Sequence, residues 1–110
     1  MVALAAAAVV WVGCSGRGAV RPRQITIACG DANLYATGLR WRSWSARGAV
    51  AAGTGHANDC TPSCAAGRFH AFPLTIRLAT PIACGARREF ARIEWSGRRS
   101  HGSYRLGCLR

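Results

Sequence analysis

The sequence has no lysine, four acidic residues and a single methionine. No apolar run reaches 18 residues, so an ordinary membrane-spanning helix is excluded on length. No segment keeps a sustained 3.6-residue apolar period, which excludes a helical bundle. The catalytic signatures G-x-S-x-G and H-E-x-x-H are missing, as is a phosphate-cradling glycine loop. Four carboxylates also leave few candidates for a two-carboxylate active site. Composition therefore points away from the common hydrolase and nucleotide-binding classes.

What is present is positive charge. All 15 basic residues are arginine, and the formal net charge is +11 at pH 7. A small domain at that density is drawn to anionic surfaces, here envelope polymers or lipid head groups. RNP-type motifs, basic helices and zinc-finger spacings do not occur, so no specific nucleic acid partner is expected. Arg40-Trp41-Arg42-Ser43-Trp44 does interleave arginine with aromatic rings, as stacking surfaces do. Simple alternation accounts for the same residues, with Trp41 inward and the arginines solvated. Arg40, Arg42, Arg87 and Arg88 are the candidate anion-binding residues.

Residues 2–13 carry no charge. The run is too short to span a bilayer and suits the apolar part of an export signal. Trp11-Val12-Gly13-Cys14 resembles the lipobox of bacterial lipoproteins, with Trp11 where that motif prefers leucine. The resemblance implies lipid attachment at Cys14, the one membrane contact expected; the alternatives are plain secretion after cleavage near Gly13 or Gly18, or a buried N-terminal segment. Residues 14–23, rich in glycine, arginine and proline, read as a flexible tether. Residues 24–110 then form a single domain.

That domain alternates. Ile25, Ile27 and Cys29 share one face of a predicted strand, and Gly30-Asp31-Ala32-Asn33 reads as a turn. Leu39 and Trp41 point inward from a second strand. Residues 49–57 are small and weakly patterned. Phe72, Leu74, Ile76 and Leu78 alternate with polar positions in the clearest strand, where Pro73 predicts an edge or a strand start. Thr80-Pro81 is read as its end, and 84–88 as a turn. Residues 90–95 alternate again, and 104–109 allow a last short strand. Five to six short strands without helical period predict an all-β fold, a small antiparallel sandwich or barrel.

The densest chemistry lies in 56–70. Pro62 fixes its own φ and pushes Thr61 towards extended geometry, so this corner cannot continue as helix. Cys60 and Cys64 admit three readings: disulfide partners, ligands of a zinc ion with His56 and His70, or Cys60 as a nucleophile assisted by Asp59 or a nearby histidine. The zinc spacing is not a standard one, and outside the cytoplasm paired cysteines in a small domain are oxidised. Disulfides are therefore expected, with no metal, no cofactor and no catalytic residue assigned. With Cys14 lipidated, Cys29, Cys60, Cys64 and Cys84 can pair in three ways. The expected set is Cys29 with Cys84 and Cys60 with Cys64. Cys108 is then left over, free or joined to Cys14 if no lipid is attached.

Residues 25 to about 95 are similar to small secreted proteins of unknown function from actinomycetes. The carriers are Ile27-Ala28-Cys29-Gly30-Asp31-Ala32-Asn33, Leu39-Arg40-Trp41, the corner from Asn58 to His70, and Pro81 with Cys84. The resemblance implies export and a four-cysteine framework, and it brings no activity. The function expected is a non-catalytic binding or structural module outside the cytoplasm. A secreted hydrolase using His70 or His56 is one alternative, and a cationic membrane-active effector or inhibitor another.

Overall fold

The computed structural model describes residues 8–108. Six antiparallel strands follow one another in both sequence and space: β1 (Ile25–Thr26), β2 (Leu34–Trp44), β3 (Gly48–Asn58), β4 (Phe69–Cys84), β5 (Arg87–Ser96) and β6 (His101–Arg105). They form one curled sheet, a half-barrel, and the fold is all-β as the alternation predicts. A 3-10 turn at Gly13–Ser15 is the only helical element among the described residues.

Period-two alternation sets the core. On β4, Phe72, Leu74, Ile76 and Leu78 are buried while Ala71, Pro73, Thr75 and Arg77 are exposed. Ile93 from β5, Leu39 and Ala36 from β2, and Ala49 and Ala51 from β3 join them on the concave side. The concave side of β3 carries only alanine and glycine because its neighbours occupy the space. A Cβ at Gly55 would lie 2.7 Å from the Phe72 ring, and one at Gly53 would lie 2.7 Å from the Thr37 carbonyl oxygen.

Several strand ends fall elsewhere than expected: β5 begins already at Arg87, β6 spans His101–Arg105 rather than 104–109, and β1 and β4 also differ. β1 is only two residues long, because the amides of Ile27 and Ala28 both turn back to the Leu34 carbonyl at 2.9 and 3.0 Å. β4 runs through Thr80 and Pro81 to Cys84. Its prolines are tolerated in an interior strand because each has a neighbour on one side only. Pro73 precedes the first β5 pairing at Thr75, and Pro81 follows the last β3 pairing at Ala79. Each missing N–H can thus face the open side, so the edge reading of Pro73 holds locally rather than for the strand.

The largest departure is at the N-terminus. Of the predicted leader, residues 1–7 lie outside the described residues, while Val9, Trp11 and Val12 are buried. Val10 adds a parallel bridge to the edge of β5, accepting from the Phe90 amide and donating to the Arg88 carbonyl, both at 3.0 Å. The Trp44 indole donates to the Val9 carbonyl at 2.8 Å. Cleavage at Gly13 would strip these side chains from the core, at about 2 kcal/mol for each large one. The 14–23 stretch is likewise held rather than free. Ala19 exchanges two 2.9 Å hydrogen bonds with Trp11, and the Trp41 indole donates to the Pro22 carbonyl at 2.7 Å.

All six cysteines are paired: Cys14 with Cys29, Cys60 with Cys64, and Cys84 with Cys108. The Cys60–Cys64 pairing is as expected; Cys29–Cys84 is not formed. Cys29 follows β1 and Cys84 ends β4, and three inter-strand spacings of about 4.8 Å separate those strands along the sheet, beyond the reach of a disulfide. Cys14 spends its sulfur on Cys29 and has none to carry a lipid. Three disulfides in a chain of this size fit an oxidising, extracytoplasmic environment. Among the described residues, no helix is long and apolar enough to cross a membrane.

Candidate functional site

The corner between β3 and β4 is built by its own polar side chains. Asp59 Oδ1 accepts from the amides of Thr61 and Arg68, both at 3.1 Å, and its Oδ2 lies 2.9 Å from His70 Nε2. Asn58 donates to the Asn33 side chain and the Cys64 carbonyl at 2.9 and 2.8 Å, and accepts from the Cys60 amide at 2.9 Å. The His70 hydrogen bond, then the amides of Arg68 and Thr61, lower the Asp59 pKa from its ordinary 3.8 to about 2. Every one of these contacts fixes the loop. Cys60 and Cys64 bond each other, which removes the nucleophile and both sulfurs of the zinc reading.

The histidines do not meet in one site. The register pairs Ala57 with His70 and His56 with Ala71, so the two rings leave opposite faces of the sheet. His70 has Asp59 as partner. His56 stacks on Tyr35, with centroids 4.6 Å apart and planes at 10°, and its Nε2 is 2.8 Å from Thr37 Oγ1. No carboxylate accompanies His56 among the described residues. Neither ring has both the nucleophile and the orienting partner that a hydrolytic relay needs.

Arginines do share one face, though not the four expected. Arg40 and Arg42 project from β2 on the convex, outer face. Arg87 and Arg88 open β5 opposite Cys84 and Ala83, eight residues along β4 from the Arg40–Ala52–Thr75 row, or about 26 Å. Arg87 is also engaged, its Nε 2.8 Å from Glu89 Oε2. The structure instead brings Arg77, Arg92 and Arg105 to the face of Arg40. Val50, Arg77, Glu94 and Ser103 form one cross-sheet row, and Arg92 pairs with Arg105 in the next. The one carboxylate there, Glu94, lies between Arg77 in register and Arg92, whose Nε is 3.4 Å from its Oε1. Arg92 also donates to Ser103 Oγ at 3.0 Å. Alternation already places Arg77 and Arg92 on the polar side of their strands. The signal lacking in sequence is the register that puts them on the same face as Arg40.

Two open clefts lie apart from this face. One, of about 400 Å³, sits beside the Cys14–Cys29 bond and is lined by Trp11, Ser15, Arg17, Gln24 and Thr26 among others. The other, of about 230 Å³, lies between Val9, Val20, Arg21 and Trp44. Neither contains a histidine or an outer-face arginine.

Fold and site together define a disulfide-linked half-barrel with a cationic outer face. No protein-family model matches the chain, and neither a curated protein nor a solved structure matches it.

Proposed function

We propose that this protein is a non-catalytic, secreted binding module for anionic surfaces of the cell envelope. The observation that supports it is five arginines, Arg40, Arg42, Arg77, Arg92 and Arg105, against the single carboxylate of Glu94 on one face. Guanidinium groups remain charged at any working pH and pair carboxylates and phosphates in a fork. On a sheet face their spacing is set by the strand ladder, so the charge is presented as a pattern and not as a mobile tail. Secretion is preferred to lipid anchoring because acylation of Cys14 would require the Cys14–Cys29 bond to be absent.

The test is retention on isolated cell wall and on phosphatidylglycerol vesicles through a salt series. Binding falls as salt rises, since exposed charges are screened within about 8–10 Å at physiological ionic strength. An Arg40→Ser/Arg77→Ser pair lowers the salt concentration of release well below that of an Arg98→Ser/Arg99→Ser pair of equal net charge. Equal loss from both pairs would reduce the site to net charge alone, and absence of retention at low salt ends the proposal.

A further inference from the structure

We infer that the polyanion bound by the outer face is a glycan, its sugar rings resting on a platform made by Tyr35, His56 and Phe69. This rests on the proposed affinity for anions and adds the class of ligand. The three rings stand on the same convex face as Arg40 and Arg77, at the end of the sheet nearest the corner. Tyr35 and His56 are register partners and stack at 4.6 Å. Phe69 follows at 5.5 Å from Tyr35, tilted by 57°, and is 47% exposed. The hydrogen bond between Thr37 Oγ1 and His56 Nε2 fixes the imidazole, so the surface is ordered before anything binds, which lowers the entropic cost of binding.

Between this platform and the arginines lies the outward side of β3, with Thr54, Ala52 and Val50. Arg40 stands in register with Ala52 on one side, and Arg77 with Val50 on the other. The flanking strands are two spacings apart, about 9–10 Å, and the stretch from His56 to Val50 runs about 20 Å. Rings at one end of this strip and guanidinium groups at the other fit a linear chain carrying both an apolar ring face and charge. Sugar rings offer such a face through their axial C–H bonds, and uronate or phosphate groups supply the charge. A lipid surface would use the arginines and leave the platform idle. A single-stranded nucleic acid could use both, but three disulfides set the protein where glycans are the abundant polyanions.

The experiment uses the whole oxidised protein and four probes: polygalacturonate, its methyl-esterified neutral form, a single-stranded oligothymidylate and phosphatidylglycerol vesicles. Polygalacturonate binds and the methyl ester does not. Short galacturonate oligomers shift the ring resonances of Tyr35 and Phe69 in the unmodified protein. Phe69→Ala and the bulk-retaining Tyr35→Leu each weaken polygalacturonate binding roughly three- to tenfold while vesicle binding stays as it was. Arg40→Ser/Arg77→Ser weakens both. Unchanged polygalacturonate affinity in the ring variants, or ring resonances that do not move, overturns the glycan platform and leaves the anion-binding proposal intact. Tighter binding of the oligothymidylate than of polygalacturonate overturns the choice of ligand. Failure to bind any of the three anions overturns the platform and the proposed function together.

Discussion

The phenol oxygen of Tyr104 lies 2.9 Å from the carbonyl oxygen of Ile27, and this bond ties the last strand to the segment leaving the first. A half-barrel with a neighbour-to-neighbour strand order leaves β1 and β6 as edges. Tyr104 reaches across that opening, packed edge-on against Trp95 at 5.8 Å. Burial raises the Tyr104 pKa above its ordinary 10.0. Only the protonated phenol donates, so this stability is complete below the ordinary tyrosine pKa and is lost as pH rises through the higher folded value. Tyr104→Phe should cost about 1 kcal/mol, a fall in Tm of roughly 4–8 °C for a domain of this size. The same change should flatten the decline in Tm above pH 10 in a melting series. An unaltered Tm would mean that the seam is closed by other contacts.

The cysteine pairing makes a separate claim. Proteolysis without reduction, followed by mass spectrometry, should give linked peptides for Cys14–Cys29, Cys60–Cys64 and Cys84–Cys108. By the chain-entropy relation, sequence separations of 15, 4 and 24 residues correspond to about 3, 2 and 3.5 kcal/mol of stabilisation. A Cys84→Ser/Cys108→Ser variant should therefore lose the most stability in urea, and Cys60→Ser/Cys64→Ser the least. A Cys29–Cys84 peptide would restore the pairing first expected from sequence and undo the sheet order.

That pairing shows where sequence reasoning stops. Alternation at 72–78 and 90–95 made the core face of β4 and β5 legible, because side chains on a strand alternate whatever their neighbours are. Cysteine pairing depends on which strands are adjacent, and nothing local to Cys29 records that β2 and β3 intervene before β4. The apolar run ending at Gly13 illustrates a second limit: composition reads it as an export signal, and only the bridge from Val10 to β5 shows that residues 9–12 also pack against the sheet. Thr80-Pro81 misled for the reverse reason. Proline is forbidden where a strand has neighbours on both sides, and β4 has them only from Thr75 to Ala79. The arginine face was half legible for the same cause, since Arg40 is marked by its own strand but Arg77 is joined to it only through β3.

β3 carries a stability prediction that its weak sequence pattern hides. Gly55 faces the concave side, where an added methyl group would meet three atoms of the Phe72 ring at 2.7 to 3.1 Å. Gly53 is tighter still in kind, because its nearest neighbour is the Thr37 carbonyl, backbone that cannot swing aside. Each Gly→Ala change should cost about 1–3 kcal/mol by overpacking. A Gly55→Ala/Phe72→Leu double variant should regain part of the loss, whereas Gly53→Ala should have no such rescue. Equal stability of Gly53→Ala and the parent in urea melts would contradict this packing.

The corner offers a measurement at a single carboxyl group. Asp59 holds three partners, and its pKa of about 2 follows first from His70 and then from the Arg68 and Thr61 amides. Because the folded value is depressed, the contribution is present above the ordinary carboxylate pKa and disappears as pH falls from about 4 to about 2. The Asp59 carboxyl carbon should titrate in NMR near pH 2, well below the ordinary carboxylate range. In His70→Ala the midpoint should rise towards the ordinary value but stop short of it, since the two amides remain. In Asp59→Asn the Arg68 amide should exchange faster with solvent, because a neutral acceptor holds it less strongly. The sheet would be untouched, with the core resonances of Ile76 and Leu78 unchanged. A His70→Ala protein whose Asp59 still titrates near pH 2 would show that the backbone amides alone hold the carboxylate charged.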